Sequence, residues 1–214
     1  MAPGSAQQER LRRRCQRSAY EAQAEAVVDW LGRVVSRRLA GPQVALCELQ
    51  SLLPEMEFWL PAERLDAQRI DALCSEHLWP GLARPRLPEA RLHGMLMGFA
   101  DLVFEHQGRY WVLDYKSNHL GQDDAAYSAP ALQAAMAQHR YDVQAALYLL
   151  ALHRLLRARL GAGYLPAQHL GGAVYLFLRG IDGPEAGCCT LPYSPALLAL
   201  LDGLDAMLGE EVTP

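Results

Sequence analysis

The chain has 214 residues, 51% hydrophobic and 21% charged, a composition ordinary for a globular protein and sufficient for one sizeable domain with its own core. Its formal net charge of −4 advertises no nucleic-acid partner, so any such partner must be attracted by local patches or by metal. The five cysteines (Cys15, Cys47, Cys74, Cys188, Cys189) are odd in number and form no C-x-x-C pair, which argues against a disulfide framework or zinc site and for a reducing compartment.

No apolar run reaches the roughly 18 residues needed to span a bilayer and no signal-peptide pattern opens the chain, so the expected location is cytoplasmic, without a membrane partner. Residues 1–17 read as a disordered segment or a helix start, with Arg10, Arg12, Arg13, Arg14 and Arg17 as a basic cluster that is either a solvated helix start or a phosphate contact. Residues 18–214 read as a single domain. From Ser18 to about Leu39, Ala24, Val27, Val28, Leu31, Val34, Val35 and Leu39 recur at helical spacing until Gly41-Pro42 stops them. Val44 to Leu53 is ambiguous between helix and strand. Glu55 to Pro61 reads as a short strand with Glu55, Glu57 and Trp59 on one face and Met56, Phe58 and Leu60 on the other. Ala62 to His77 is a helix, and the Pro-rich stretch Trp79 to Pro88 a loop.

Two runs rich in β-branched and aromatic residues follow, Gly98 to Phe104 and Tyr110 to Asn118, flanking a polar stretch with Gly108. With Gln107 and Gly108 as central turn residues of a hairpin, opposed positions sum to 215, so Asp101 faces Asp114. Directly opposed residues share a face with Cβ atoms about 4.5–5.5 Å apart, and Lys116 lies two residues on, on the same face again. Two opposed carboxylates destabilise a sheet, and a divalent cation between them reverses that sign. On spacing alone, a solvated outer face is the commoner explanation of such a cluster.

Gly121 to Pro130 is a long polar segment of the kind found beside active sites. Ala131 to Leu160 is helical in pattern with a break near Arg140; its second half carries an apolar stripe of Val143, Leu147, Leu150 and Ala151, with Gln144 and Tyr148 as an i, i+4 pair on another face. Ala173 to Leu178 reads as a strand buried on both faces, Cys188 to Leu191 as an edge strand, and Pro195 to Leu208 as a last amphipathic helix. The core order is helix, strand, strand, strand, helix, strand.

That order, with an acid on the second strand and Asp-x-Lys on the third, resembles the PD-(D/E)XK nuclease superfamily. The segments Gly98–Phe104, Leu113–Asn118, Tyr141-Asp142-Val143-Gln144 with Tyr148, and Gly171–Gly180 are similar to the C-terminal nuclease domain of the RecB-type exodeoxyribonuclease V beta subunit. The resemblance implies an α/β, restriction-endonuclease-like core: a mixed sheet flanked by helices. It implies Mg2+ held by Asp101, Asp114 and the main-chain carbonyl of Tyr115, with Lys116 as the catalytic lysine and Glu55 as a supporting acid. Gln144 and Tyr148 match a Q-x-x-x-Y element that lies beside the cleft and helps hold the nucleic-acid strand or supports the site. The chemistry agrees, because a hard cation on oxygen ligands activates water and neutralises charge developing on the phosphorane-like centre, while lysine supplies a point charge.

The implied activity is metal-dependent exonucleolytic hydrolysis of single-stranded or linear duplex DNA ends in recombinational double-strand-break repair. The implied partners are the gamma- and alpha-type subunits of a helicase–nuclease complex and the recombinase. The sequence departs from the family in one respect: no Gly-x-x-x-His supplies the upstream histidine ligand. His77, His93, His106, His119, His139, His153 and His169 are scattered and read as surface or packing residues. No G-x-x-x-x-G-K-[ST] phosphate loop is present either, so the expected object is a domain or truncated homologue. The alternative is a catalytically incomplete interaction module for partner-subunit contact and recombinase loading, with the Arg154, Arg157 and Arg159 cluster and the last helix as candidate surfaces.

Overall fold

Alternating and helical periodicities resolve, in a computed structural model that describes residues 5–17, 21–62, 65–91 and 94–209, into a five-stranded mixed sheet between two hydrophobic cores. The chain runs α1 (Ser5–Gln16), α2 (Ala24–Ser36), β1 (Ser51–Pro61), α3 (Ala67–His77), β2 (Met95–His106), β3 (Arg109–Lys116), α4 (Ala129–Gln138), α5 (Tyr141–Leu160), α6 (Pro166–His169), β4 (Leu170–Phe177), β5 (Cys188–Pro192) and α7 (Pro195–Gly209). The sheet order is β1-β2-β3-β4-β5, antiparallel except where β4 runs parallel to β3. This is the expected α/β arrangement.

Several boundaries differ from the sequence reading. The basic segment forms α1, with Arg12 and Arg13 paired to Glu25 and Glu9; residues 1–4 and 18–20, where disorder and a helix start were expected, lie outside the described residues. α2 ends at Ser36 because Arg37 turns extended (ψ 134°). β1 starts at Ser51, its first part hidden in sequence because Leu52 and Leu53 are exposed on an edge strand.

α5 has no single apolar stripe. Ala145, Ala146, Leu149, Leu150 and Leu152 are all buried, so the helix is enclosed on nearly every side. Nor are Arg154 and Arg157 a free basic surface, since both pair with Asp205 of α7, at 3.2 and 2.6 Å.

The hairpin register is as derived, from His106 opposite Arg109 to Leu102 opposite Leu113. Gln107 and Gly108 both have positive φ (53° and 77°), the conformation a two-residue type I′ turn needs. Just beyond Leu102 the sheet changes character. Leu102 and Phe104 pack with Val34 of α2, whereas Ala100 packs with Met56 in the opposite core, so strand alternation breaks between Ala100 and Leu102. On β1 the matching level is Glu55, which has φ 51° and is skipped between the pairs Pro54–Leu102 and Met56–Ala100. The β2–β3 ladder ends at Leu102–Leu113, while β1 and β2 stay paired out to Pro61–Met95. The β1–β2 ribbon therefore leaves the rest of the sheet at this level, and a notch opens there.

Candidate active site

Three acids lie at the level of the notch on three neighbouring strands. Carrying each register through the break puts Glu55 level with Asp101 and Asp101 level with Asp114, and Asp114 pairs in turn with Tyr175 of β4. Asp101 does not continue the ladder; its Oδ2 accepts from the main-chain N–H of Tyr115 at 2.9 Å. Asp114 is only 3% exposed. Glu55 is exposed and shares only the register level of this row; no hydrogen bond or ion pair ties it to Asp101, Asp114 or Lys116 among the described residues.

Asp114 belongs to a closed ring of polar contacts. Lys116 Nζ lies 2.6 Å from Asp114 Oδ2 and donates to Gln144 Oε1 at 2.8 Å. Gln144 Nε2 donates to the Tyr148 hydroxyl at 2.7 Å, and that phenol is electrostatically coupled to the Asp114 carboxylate. Tyr175 OH also donates to Gln144 Oε1, at 3.3 Å. The ring fixes the Gln144 amide, oxygen toward the ammonium and nitrogen toward the phenol. The Q-x-x-x-Y pair, expected to bind the nucleic-acid strand or to support the site, is turned inward beside Lys116 and Asp114.

Aromatic faces complete the seat of the lysine. Its Nζ is 3.9 Å from the centroid of the Tyr141 ring and 5.2 Å from that of Tyr175. Tyr141 OH donates to Asn118 Oδ1 at 3.2 Å, and the His139 ring stacks on Tyr141 with centroids 5.3 Å apart. The α5 turn carrying Tyr141 and Gln144 is itself fastened. Fully buried Asp142 takes Arg84 Nη1 at 2.6 Å and Arg140 Nε at 3.1 Å, while Arg84 Nη2 donates to the carbonyls of Leu78 and Trp79 at 2.7 and 2.8 Å. Arg140, in the left-handed region at φ 55°, also lies 2.7 Å from Asp71 Oδ1, an ion pair whose angles miss hydrogen-bond geometry.

Burial pushes the Asp114 carboxyl above the usual carboxylate range; Lys116 and Tyr148 pull it back, and the charge of Asp101 adds to the rise. Burial, then the Asp114 charge, raises the Tyr148 phenol to about 12, so it serves as a neutral donor. A desolvated carboxylate with a second acid beside it calls for positive charge. Two carboxylates with the Tyr115 carbonyl next to them are hard oxygen donors of the kind that suit a small divalent cation keeping several of its own waters. The residues present fit such an ion.

No cluster of three His, Cys, Asp or Glu side chains able to hold a metal occurs among the described residues, so no histidine there joins Asp101 and Asp114. His153 is buried against the Tyr164 hydroxyl at 3.0 Å and His169 turns to Leu165; His93 lies outside the described residues. Sequence reasoning missed Tyr141, Tyr175 and the Arg84–Asp142–Arg140 network. Tyr141 was within reach, because positions 141, 144 and 148 share one helix face. A second signal was compositional: of 20 basic residues in the chain, 19 are arginine, and the single lysine is Lys116.

The family pattern described as the PD-(D/E)XK nuclease superfamily matches residues 2–199. The RecBCD enzyme subunit RecB of Escherichia coli (strain K12) is 43% identical over 202 residues, which cover 92% of this chain and 17% of that protein. Its namesake in Haemophilus influenzae is 36% identical over 185 residues, covering 84% and 15%. That of Mycobacterium tuberculosis (strain H37Rv) is 48% identical over 129 residues, covering 56% and 12%. The chain thus spans about a sixth of the length of the first two relatives.

Proposed function

The chain belongs to the PD-(D/E)XK nuclease superfamily as a nuclease domain of the RecB type, and from that premise we propose that it hydrolyses phosphodiester bonds of DNA with the help of Mg2+. In this reading residues 18–214 work as a single domain, degrading single-stranded or linear duplex ends during recombinational double-strand-break repair. Its partners are the gamma- and alpha-type subunits of a helicase–nuclease complex and the recombinase, in the cytoplasm. No helix among the described residues is long and apolar enough to cross a membrane.

The observation that carries the reading is the closed ring that seats Lys116 against Asp114 beside Asp101. Magnesium held by Asp101, Asp114 and the Tyr115 carbonyl would supply an activated water and offset charge on the phosphate. The chain's own residues do the rest. Lys116 places a compact positive charge where negative charge develops on the phosphoryl oxygens and orients the attacking water. Gln144 and the Tyr141 ring keep the ammonium in place independently of Asp114, Tyr148 steadies the Asp114 carboxylate, and Glu55 supports the site from β1. The test is magnesium-dependent digestion of linear or single-stranded DNA, which is expected to disappear in Lys116→Ala; equal activity in that variant would overturn the assignment of Lys116.

A second reading, the interaction module, has its own observation. Trp59, Met95, Met97 and Phe99 line one face of the β1–β2 ribbon, each about half exposed, in a patch of the sort that marks contact surfaces. Calorimetry separates the two readings. Magnesium or calcium binding that depends on Asp101 and Asp114 supports the nuclease, and its absence leaves the module.

A further inference from the structure

The rim of the notch carries one cation that the ring does not use. β3 and β4 run parallel with Lys116 beside Phe177, so the loops that follow them leave the sheet side by side. Arg179 lies two residues past Phe177, and its Nε donates to the carbonyl oxygen of Ser117, the residue after Lys116, at 2.9 Å. The side chain is exposed. Unlike Arg84, Arg140, Arg154 and Arg157, it has no carboxylate partner among the described residues, and neither Nη atom donates to protein there.

Hydrogen bonds and packing within the chain tie this rim together. The buried Tyr127 donates from its hydroxyl to Asn118 O at 3.1 Å and accepts there from Leu120 N at 3.3 Å. Its ring lies so close to Gly180 that a Cβ at that position would collide with it. Phe177 N donates to Gly187 O at 2.8 Å and Gly183 N to Gly180 O at 2.9 Å, so the Arg179 loop is closed by its own main chain. With Nε tethered, the outer edge of the guanidinium is held in one orientation, which lowers the ordering cost of a contact made there.

Charge accounting shows what that edge suits. The notch holds Asp101 and Asp114 against Lys116, whose charge is already engaged by Asp114. A planar guanidinium edge with two free nitrogens matches two oxygens of a phosphate. We propose that Arg179 is a substrate-binding residue whose Nη1–Nη2 edge takes a backbone phosphate of the strand lying in the notch, beside Lys116. The assignment rests on the nuclease reading given above.

The test uses the full chain with Lys116→Gln, which keeps a donor to Asp114 and leaves the strand uncut. A labelled thymidine oligonucleotide is titrated in calcium buffer at several salt concentrations. Arg179→Ala is expected to weaken binding about tenfold and to flatten the slope of log K against log salt by about 0.7, the value for one phosphate of a single strand. Arg179→Gln, which can still donate to Ser117 O but carries no charge, should bind as weakly as the alanine variant while melting like its parent. Unchanged affinity and slope in Arg179→Gln overturns the proposal, as does a lowered melting temperature with an unchanged slope, because the residue is then only a loop tie. If the unmutated chain neither cleaves nor binds DNA, the nuclease reading fails and the role of Arg179 with it. If it cleaves DNA and Arg179→Gln binds normally, only the role of Arg179 fails.

Discussion

Deleting the Lys116 side chain strands a carboxylate, and the consequence can be read without any assay of cleavage. Asp114 is 3% exposed, and the ammonium 2.6 Å away is its positive neighbour. Removing one partner of a buried ion pair costs about 3–5 kcal/mol; here the raised Asp114 carboxyl sheds part of that cost by taking up a proton, so about 2–3 kcal/mol is expected for metal-free Lys116→Ala at neutral pH. The pH dependence has a definite sign. The folded-state carboxyl of Asp114 lies above its unfolded value, chiefly through burial. Such a group stabilises the fold below the unfolded aspartate value of about 3.9 and loses that contribution as pH rises through the folded value.

Without Lys116 the folded value climbs further. The deficit of Lys116→Ala relative to the parent should therefore be smallest near about pH 4 and grow toward about pH 7.5. Urea unfolding followed by circular dichroism, with chelator present, measures it at both pH values. Asp114→Asn in the Lys116→Ala background should restore most of the loss, because the stranded charge is gone. Equal stability of Lys116→Ala and the parent at both pH values, or no recovery when Asp114→Asn is added, would show that Lys116 does not offset the Asp114 charge. Loss of cleavage in Lys116→Ala is thus best measured alongside Lys116→Gln, which removes the ammonium but keeps a donor to Asp114.

Two further predictions concern the seat of the lysine. Lys116→Arg is expected to lower the cleavage rate at least about 100-fold, because a longer planar fork cannot keep the point contacts that the ammonium makes with Asp114, Gln144 and the Tyr141 ring, 3.9 Å away; activity within a few fold of the parent would show that the charge matters and the seat does not. Tyr141→Phe keeps the ring face and loses only the contact to Asn118, so it should retain near-parental kinetics. Tyr141→Leu removes the face, and at about 1–2 kcal/mol for a desolvated cation–π contact should lower kcat about five- to thirtyfold with little change in KM. Equal kinetics for the two variants would remove Tyr141 from the account of Lys116.

What could be read from the sequence was local. The hairpin register followed from Gln107-Gly108, because a two-residue turn leaves only one pairing, and the burial of Met56, Phe58 and Leu60 followed from simple alternation. The break at Arg140 showed as a lapse in helical periodicity. What stayed hidden depends on distant partners. Arg154 and Arg157 look like a free basic surface until Asp205, about fifty residues on, is placed beside them. Enclosure of α5 on nearly all sides erases the stripe that marks a surface helix. The inward turn of Gln144 and Tyr148 needs the parallel pairing of β3 with β4 and the rotation of α5, which no local pattern encodes.

The break in the sheet explains why the acids can coexist at all. Had the β2–β3 ladder continued past Leu102–Leu113, Asp101 and Asp114 would face each other at the distance of opposed side chains, a destabilising pair with no relief. Ending the ladder lets Asp101 take the Tyr115 N–H, leaves Asp114 to Lys116, and opens the notch between them. The same break has a second consequence. The β1–β2 ribbon runs on alone to Pro61–Met95, and Trp59, Met97 and Phe99 on its far side lose the helical cover that α2 gives to Leu102 and Phe104. One irregularity, centred on Glu55 and Asp101, therefore makes both the polar notch and the bare apolar face. Under the proposed function, the nuclease and interaction readings describe two sides of one irregularity, and substitutions on the ribbon are expected to leave magnesium binding measured by calorimetry as in the parent.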